Sequence, residues 1–580
     1  MFKITNYLKE YKKESVIAPL FKMLEASFEL FVPLVMAAIV DQGIKEQNTT
    51  YIAKMGVVLV ALSLVGLLCS VTAQFFAAKA SVGFGKAVRH DLFAHINRLS
   101  YAEIDRAGTS TLITRMTSDI NQMQSGVNMF LRLFLRSPFI VFGAMIMAFT
   151  VDAKAALVFV VAIPLLSIVV FGIMLYSIPL YQKVQKALDR VLRMTRENLA
   201  GARVIRAFCR QEAEIQDYEE ASQTLNQMQL FVGKISAMMN PVTYIIVNAA
   251  LIAIIWIGGV RVEAGDLSQG DVIALVNYMS QILVELVKLA NLIILLTKSM
   301  ACSKRVGEIF AMEPSILEHP TGVDLEHAKD KVVFRNVTFT YEGAKEPALK
   351  DISFTAKAGQ TIGIIGGTGC GKSTLVNLIP RFYDVDSGEV LVDNVNVKQY
   401  SFHQLRDRIG VVLQKAVLFH GTIAENIRWG REDATDEEVL RAVSIAQGDD
   451  VIASKENGLE EMILQGGKNL SGGQRQRLTI ARALVREPEI LILDDAASAL
   501  DFATDAKLRQ AIKEQTKGMT VFIVSQRAST IRQADQIIVL EDGMMVGNGT
   551  HEQLLADCSV YREIVESQEK NERGGVENGK

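Results

Sequence analysis

The chain has 580 residues, 49% of them hydrophobic and 22% charged. With a mean hydropathy of +0.22 it is too apolar for an ordinary soluble protein and too charged to be membrane helix throughout, which implies two unlike halves. Lys and Arg total 61 against 64 Asp and Glu, a formal charge of -3, so no global basic field argues for nucleic acid and none is expected as a partner.

Residues 1–13, MFKITNYLKEYKK, place Phe2, Ile4, Leu8 and Tyr11 roughly at helical spacing among lysines, the pattern of a short helix lying on a membrane surface. The apolar stretch that follows is longer than the core of a signal peptide. Apolar runs near 16–40, 55–78, 129–151, 154–178, 235–259 and 271–297 are each long enough for a helix to cross a bilayer, which predicts six spans. The segments after spans two and four are long and basic, carrying Lys86, Arg89, Arg98, Arg106 and Arg115 in one and Lys183, Lys186, Arg190, Arg193, Arg196, Arg203 and Arg206 in the other. Positive charge marks them cytoplasmic, which predicts a multi-pass protein of the plasma membrane with both termini inside. Helical apolar spacing continues through 79–100 and 180–230, so both excursions read as helices projecting beyond the bilayer, bent near RAGTSTLITR (106–115) and RVIRAFCRQEAE (203–214).

Charges inside spans are candidates for function because each is costly at the bilayer centre unless paired or hydrated. Lys22, Glu25 and Glu29 share one helix face, Arg132 and Arg136 a second, Glu285 and Lys288 a third. Glu25 and Glu29 are expected to line a cavity favouring cationic amphipaths, the alternative being that they pair structurally. Met145, Met147, Met238 and Met239 would give soft packing or an adaptable lining.

The membrane domain is expected over 1–310, a linker over 311–330, a soluble α/β domain over 331–570 and a polar tail over 571–580. KVVFRNVTFTY reads as a strand pair and IIVLEDGMMVGNGT as a hairpin turning at Asp542 and Gly543. The five cysteines (69, 209, 302, 370, 558) form no CxxC, no Cys/His ligand set and no secreted disulfide framework.

The chemistry concentrates in the soluble domain. TIGIIG followed by GTGCGKST is a buried strand, a glycine loop and a helix start, with Gly366, Gly367, Thr368, Gly369, Cys370, Gly371, Lys372, Ser373 and Thr374 in sequence. Glycines let backbone N–H groups face anionic oxygens, the helix end adds partial positive charge, Lys372 reaches the β/γ oxygens and the Ser373 hydroxyl suits Mg2+. ILILDD ends an apolar strand in Asp494 and Asp495, placing a metal-holding carboxylate beside the cradle. Gln414 follows the strand IGVVL, and Leu470-Ser471-Gly472-Gly473-Gln474 opens a helix, a second anion site.

Taken together, these motifs resemble the ATP-binding cassette family, and six spans followed by one cassette are similar to its half-transporter exporters. The resemblance covers nearly the whole chain. It implies a six-helix transmembrane domain with long cytoplasmic helical extensions followed by an α/β P-loop cassette, with ATP and Mg2+ as nucleotide and metal. It assigns Tyr341 to adenine stacking, Gln414 and Asp494 with Ser373 to the metal, and Ser471–Gln474 to capping the γ-phosphate held by a second cassette, so that the chain works as a dimer.

Two positions depart from the family pattern. The family places Glu directly after the metal-holding Asp as general base, and His in the switch segment after the next strand; here the residues are Asp495 and Gln526. Asp495 withdraws the carboxylate by one C–C bond, about 1.5 Å, and Gln526 cannot become a cation as imidazole can. With LSGGQ intact, the expectation is a degenerate site here and a competent one completed on an unlike partner. The predicted activity is ATP-driven export of amphipathic, drug-like or lipid-like substrates from the cytoplasm or inner leaflet. The alternatives are a homodimeric exporter using Asp as base and a nucleotide-gated membrane regulator.

Overall fold

The computed structural model describes residues 4–319, 328–516 and 518–577. Phe2, the middle of the linker (320–327) and the last three residues of the tail lie outside the described residues. The chain divides into two compact units, one of Met1–Asn97 with Gly108–Met312, the other of Arg98–Ala107 with Glu313–Lys580.

The first unit contains six helical segments long and apolar enough to cross a membrane: Lys9–Ile44, Thr49–Ile96, Thr109–Val151, Ala153–Ala200, Gln211–Glu263 and Gln269–Phe310. Each of the six apolar runs of the sequence falls inside one of them. The second and fourth have 48 residues each, roughly 70 Å of helix at 1.5 Å per residue, about twice the hydrocarbon thickness. Their starts are capped by side chains: Asn48 accepts from Tyr51 N–H, and Asp152 accepts from Ala155 N–H at 2.7 Å. The fourth helix stops at Gly201, followed by the short helix Ala202–Ala207 and by Cys209 in the left-handed region at φ 51°. Inside the unit small residues let helices approach: Ala73, Ala77 and Ala80 are fully buried, and a Cβ on Gly143 would meet Leu30 Cδ1 at 2.5 Å. Outside, Val57, Leu68, Ile245 and Trp256 stay exposed, the surface expected of helices whose solvent is lipid.

The second unit is the α/β cassette. Strands β1 (Asp330–Phe339), β2 (Leu349–Lys357), β4 (Ser387–Val392) and β5 (Val395–Asn396) form an antiparallel sheet in the order β2-β1-β4-β5. A six-stranded sheet in the order β12-β11-β3-β10-β9-β6 uses β3 (Thr361–Gly366), β6 (Ile409–Val412), β9 (Ile490–Asp494), β10 (Thr520–Val524), β11 (Gln536–Glu541) and β12 (Met544–Gly549). The ribbon β7 (Gly421–Thr422) with β8 (Met462–Ile463) lies apart from both sheets. All pairs in the six-stranded sheet are parallel except β11 with β12. β9 and β10 are buried along their whole length, which is why they read as continuous apolar runs and not as alternation. Parallel strands bring the carboxyl ends of β3 and β9 to one edge, where ligands bind in such sheets.

One expectation is corrected. KVVFRNVTFTY is a single strand, β1, and not a strand pair; Asn336 sits at φ 48° and bulges it, shifting the register between Phe334 and Val337. At the far end Asp542 (φ 47°) and Gly543 (φ 80°) turn β11 into β12, both with positive φ as a primed turn requires. The helix Ser559–Glu577 runs into the segment read as a tail.

Candidate functional site

The loop between β3 and the helix Lys372–Leu378 is shaped by its glycines. Gly366 has φ 156°, and a Cβ there would stand 2.1 Å from the Leu540 carbonyl oxygen; Gly371 has φ 97°, and its Cβ would meet the Ala348 carbonyl oxygen at 2.7 Å. Only residues without a side chain fit, and the amides are left facing inward. Lys372, buried at the helix start, donates from Nζ to the carbonyl oxygens of Gly366 (2.9 Å) and Gly367 (2.6 Å), and its Nζ lies 3.7 Å from Cys370 Sγ. Its ammonium is thus held inside the curl of the loop, where an anion would exchange for those carbonyls.

Ser373 Oγ donates to Asp494 Oδ1 at 2.8 Å. Asp494 is 5% exposed, and burial pushes its carboxyl above the ordinary aspartate range, opposed by the Ser373 hydrogen bond and reinforced by the neighbouring Asp495 charge. Asp495 is also raised, chiefly by burial; Gln414 Nε2 donates to its Oδ2 at 3.3 Å. Its backbone is left-handed at φ 48°, and its N–H donates to the Val524 carbonyl, tying the end of β9 to the end of β10. The Ser373 hydroxyl and the Asp494 carboxylate are hard oxygen donors beside a phosphate-shaped loop, a set that fits Mg2+.

Gln526, two residues past β10, is exposed, and among the described residues its side chain makes no hydrogen bond; only its carbonyl is engaged, by Gln568. Tyr341 OH lies 3.0 Å from Thr374 Oγ1, and its ring packs edge-on against Phe339 and Tyr383 at 4.9 and 5.3 Å. Ser471 and Gln474 form a reciprocal capping box at the start of the helix Gly472–Leu484: Gln474 N–H donates to Ser471 Oγ (3.2 Å) and Ser471 N–H to Gln474 Oε1 (2.9 Å). Ser471 and Gly472 are exposed, and no hydrogen bond among the described residues joins this turn to the phosphate loop. The Ser471 hydroxyl is held by the Gln474 N–H, and the turn stands open to solvent at a helix N-terminus, where anions bind.

Two family models match the chain, "ABC transporter transmembrane region" over residues 15–286 and "ABC transporter" over 349–498. An uncharacterized ABC transporter ATP-binding protein of Mycobacterium tuberculosis is 37% identical over 570 residues, covering 97% of each chain. This chain belongs to the ABC transporter family. An ATP-dependent lipid A-core flippase of Syntrophus aciditrophicus is 31% identical over 495 residues, 85% of this transporter and 82% of the flippase. Among solved structures, a bacterial Atm1-family ABC exporter with ATP bound shares the fold, with a TM-score of 0.78 at 23% identity over 95% of this chain and 97% of that one. The transporter is thus a half-transporter of the exporter architecture, and its cassette is that of an ATPase coupled to transport, in a family that works as dimers.

Sequence spacing does not reveal how the transporter's short helix Tyr101–Ala107 is held. Within the cassette unit Tyr101 packs on Phe382 at 4.7 Å, Tyr383 OH donates to Asp105 Oδ2 at 3.2 Å, and Arg106 Nη1 pairs with Glu342 at 2.8 Å. Burial and the Asp105 charge push the Tyr383 phenol up. Tyr383 also touches Tyr341, so two side chains separate this helix from Thr374 of the phosphate-loop helix. In the membrane unit, Glu25 is paired with Lys22 at 2.6 Å, and Lys22 also donates to Ser70. Glu29 takes Arg136 Nη2 at 2.7 Å and borders a cavity that Glu25 does not reach. Met145 and Met147 pack against the apolar core of the unit.

Proposed function

We propose that this chain is one subunit of a heterodimeric, ATP-driven exporter of amphipathic substrates, in which its own cradle binds Mg-ATP and turns it over slowly. Its Ser471–Gln474 turn completes a competent site on an unlike partner. The observation that carries this reading is the pair Asp495 and Gln526. Asp495 is short by about 1.5 Å for a base of the family's length, and a misplacement of about 1 Å costs roughly 100-fold. Gln526 offers the γ-phosphate at most an amide hydrogen bond and no positive charge.

In this reading the glycine amides and Lys372 hold the β/γ oxygens, Tyr341 gives the adenine an aromatic face, and Ser373, Asp494 and Gln414 hold and orient the metal. Mg2+ there would neutralise charge on the phosphates. Asp495 takes the proton of the attacking water inefficiently, so nucleotide binding exceeds hydrolysis at this site. Exposed apolar groups on the second intracellular turn, Leu199, Val204 and Phe208, support a docking partner for it. The basic intracellular segments support cytoplasmic termini in the plasma membrane, and the flippase relatives support a lipid-like, amphipathic cargo.

The test is the ATPase of the purified chain in lipid, alone and with candidate partner half-transporters carrying Glu and His at the two positions. Alone, it should retain Mg-ATP with turnover at background, rising at least tenfold on pairing. Full-speed hydrolysis by the chain alone would refute the heterodimer, and its loss in Asp495→Asn would favour the homodimer that uses Asp495 as base.

A further inference from the structure

The spans of the first unit hold a charge cluster that nothing in ATP turnover requires. Arg136 on the third span is 7% exposed and donates from Nη1 to Glu285 Oε1 (2.8 Å) on the sixth span and from Nη2 to Glu29 Oε2 (2.7 Å) on the first. Glu285, 3% exposed, is fully engaged: Arg136 and Lys288 donate to Oε1 and Ser137 Oγ to Oε2. Gly270 N–H donates to Asp41 Oδ1, tying the ends of spans one and six together. At 1.5 Å per residue Glu29 and Glu285 both lie roughly 20 Å from that tie, inside a hydrocarbon core about 30 Å thick.

A cluster serving packing alone would satisfy every member, since half-paired charge is expensive at this depth. Here Glu285 has both oxygens engaged, Arg136 gives two hydrogen bonds but keeps a buried Nε without a partner, and the two outer groups stand open with one partner each. The Glu29 side chain is 42% exposed and takes one donor, on one oxygen; the Lys288 side chain is 42% exposed and gives one hydrogen bond. Both border one cavity of about 350 Å³, with Asn277, Ser280 and Gln281 on its wall. Gln281 Oε1 is out of solvent and has no hydrogen-bond partner. The cavity therefore presents an under-used carboxylate for a cation and an under-used ammonium for an anion, with no net charge, and Gln281 on its wall carries an unpaired amide oxygen that a turn of the side chain would bring to the cation.

We propose that this cavity is a headgroup subsite for a zwitterion, a ligand carrying an amine and an acidic group a few bonds apart, with Glu29 and Gln281 receiving the amine and Lys288 the anion. This rests on the export reading and narrows its cargo from cationic amphipaths to amphipaths with a zwitterionic head. A singly charged head would leave one of the two outer groups desolvated and unmatched, which costs about tenfold in affinity for one charge-assisted hydrogen bond.

The test is equilibrium binding to the purified full-length chain in a maltoside detergent, with acyl-chain-labelled phosphatidylethanolamine, phosphatidylglycerol and a long-chain alkylammonium as probes. The wild type should bind phosphatidylethanolamine about tenfold more tightly than either singly charged probe. Glu29→Gln should erase the preference over phosphatidylglycerol, and Lys288→Gln the preference over the alkylammonium. Gln281→Leu disturbs none of the four charges and keeps the test alive if the charge variants unfold: it should weaken both amine-bearing probes and spare phosphatidylglycerol. Competition by glycerophosphoethanolamine assigns the site to soluble zwitterions, and its failure beside tight phosphatidylethanolamine binding assigns it to lipid; both support the subsite. Equal affinity for all three probes, or Gln281→Leu without effect on the amines, would overturn it. Binding needs no hydrolysis, so this failure is separate from failure of the export reading, which shows only as absent ATP-dependent transport.

Discussion

Lengthening one side chain at the end of β9 should restore turnover. Asp495→Glu moves the carboxylate outward by about 1.5 Å, and since a misplacement of about 1 Å costs roughly 100-fold, the gain available is at least about two orders of magnitude. Two local costs reduce it. Position 495 is at φ 48°, where Asp is tolerated better than Glu and a longer side chain costs about 1 kcal/mol of backbone strain. That strain is held by the Asp495 N–H to Val524 hydrogen bond, so it lowers stability more than it moves the site. The 3.3 Å contact from Gln414 is long and weakly held, and its loss costs less than an ordinary hydrogen bond of about 1 kcal/mol. The turnover number should rise by roughly ten- to a hundredfold with little change in KM for ATP, and further when Gln526→His is added. Steady-state phosphate release from the purified chain in lipid, with Mg-ATP binding measured in parallel, reads it. An unchanged turnover number in the double variant with intact nucleotide binding would mean that these two side chains do not limit this site.

Gly366→Ala should abolish Mg-ATP binding by equilibrium dialysis, because its Cβ would stand 2.1 Å from a backbone oxygen that cannot yield. Tyr383→Phe removes only the hydroxyl that donates to Asp105; amide exchange over 101–107 should rise about fivefold, for a hydrogen bond of about 1 kcal/mol, while ATP affinity holds. Arg136→Met or Glu285→Met alone should destabilise the membrane unit by about 3–5 kcal/mol in reversible unfolding, and the double variant by clearly less, since breaking a buried pair costs more than replacing it. The raised carboxyls of Asp494 and Asp495 stabilise the apo cassette below the ordinary aspartate range and lose that contribution as pH rises through their raised values. A cation on those oxygens relieves the loss, so the thermal shift caused by Mg2+ with a non-hydrolysable ATP analogue should be larger at neutral than at mildly acidic pH.

How much of the molecule is legible in its sequence follows from distance along the chain. The phosphate loop, the Ser471–Gln474 turn and the Asp494–Asp495 pair are each contiguous, so residue type and spacing suffice to name their chemistry, and the six spans are legible because lipid demands long apolar helices. The same logic shows why Lys22 with Glu25 and Glu285 with Lys288 are visible as pairs: they stand three apart on one helix. Arg136 with Glu29 joins residues 107 apart and Tyr383 with Asp105 residues 278 apart, and no helical period reports such meetings. Asn336 misleads for a different reason: an Asn in the left-handed region serves a bulge as readily as a turn, and only the register of β1 against β2 separates them.

Both halves of the molecule divide their polar groups in the same way. In the cassette Asp494 is buried and held by Ser373, while Ser471 and Gln526 stand exposed. Among the spans Glu285 is buried and held by three donors, while Glu29 and Lys288 face a cavity with one partner each. A buried polar group costs free energy until it is paired, and a polar group with spare hydrogen-bonding capacity at a cavity or an exposed turn can take its remaining partners from a ligand or another chain. On the readings proposed above, the Ser471 turn and the Glu29–Lys288 cavity are where another chain and a ligand would supply those partners. Both follow from the same rule, and each can fail without the other.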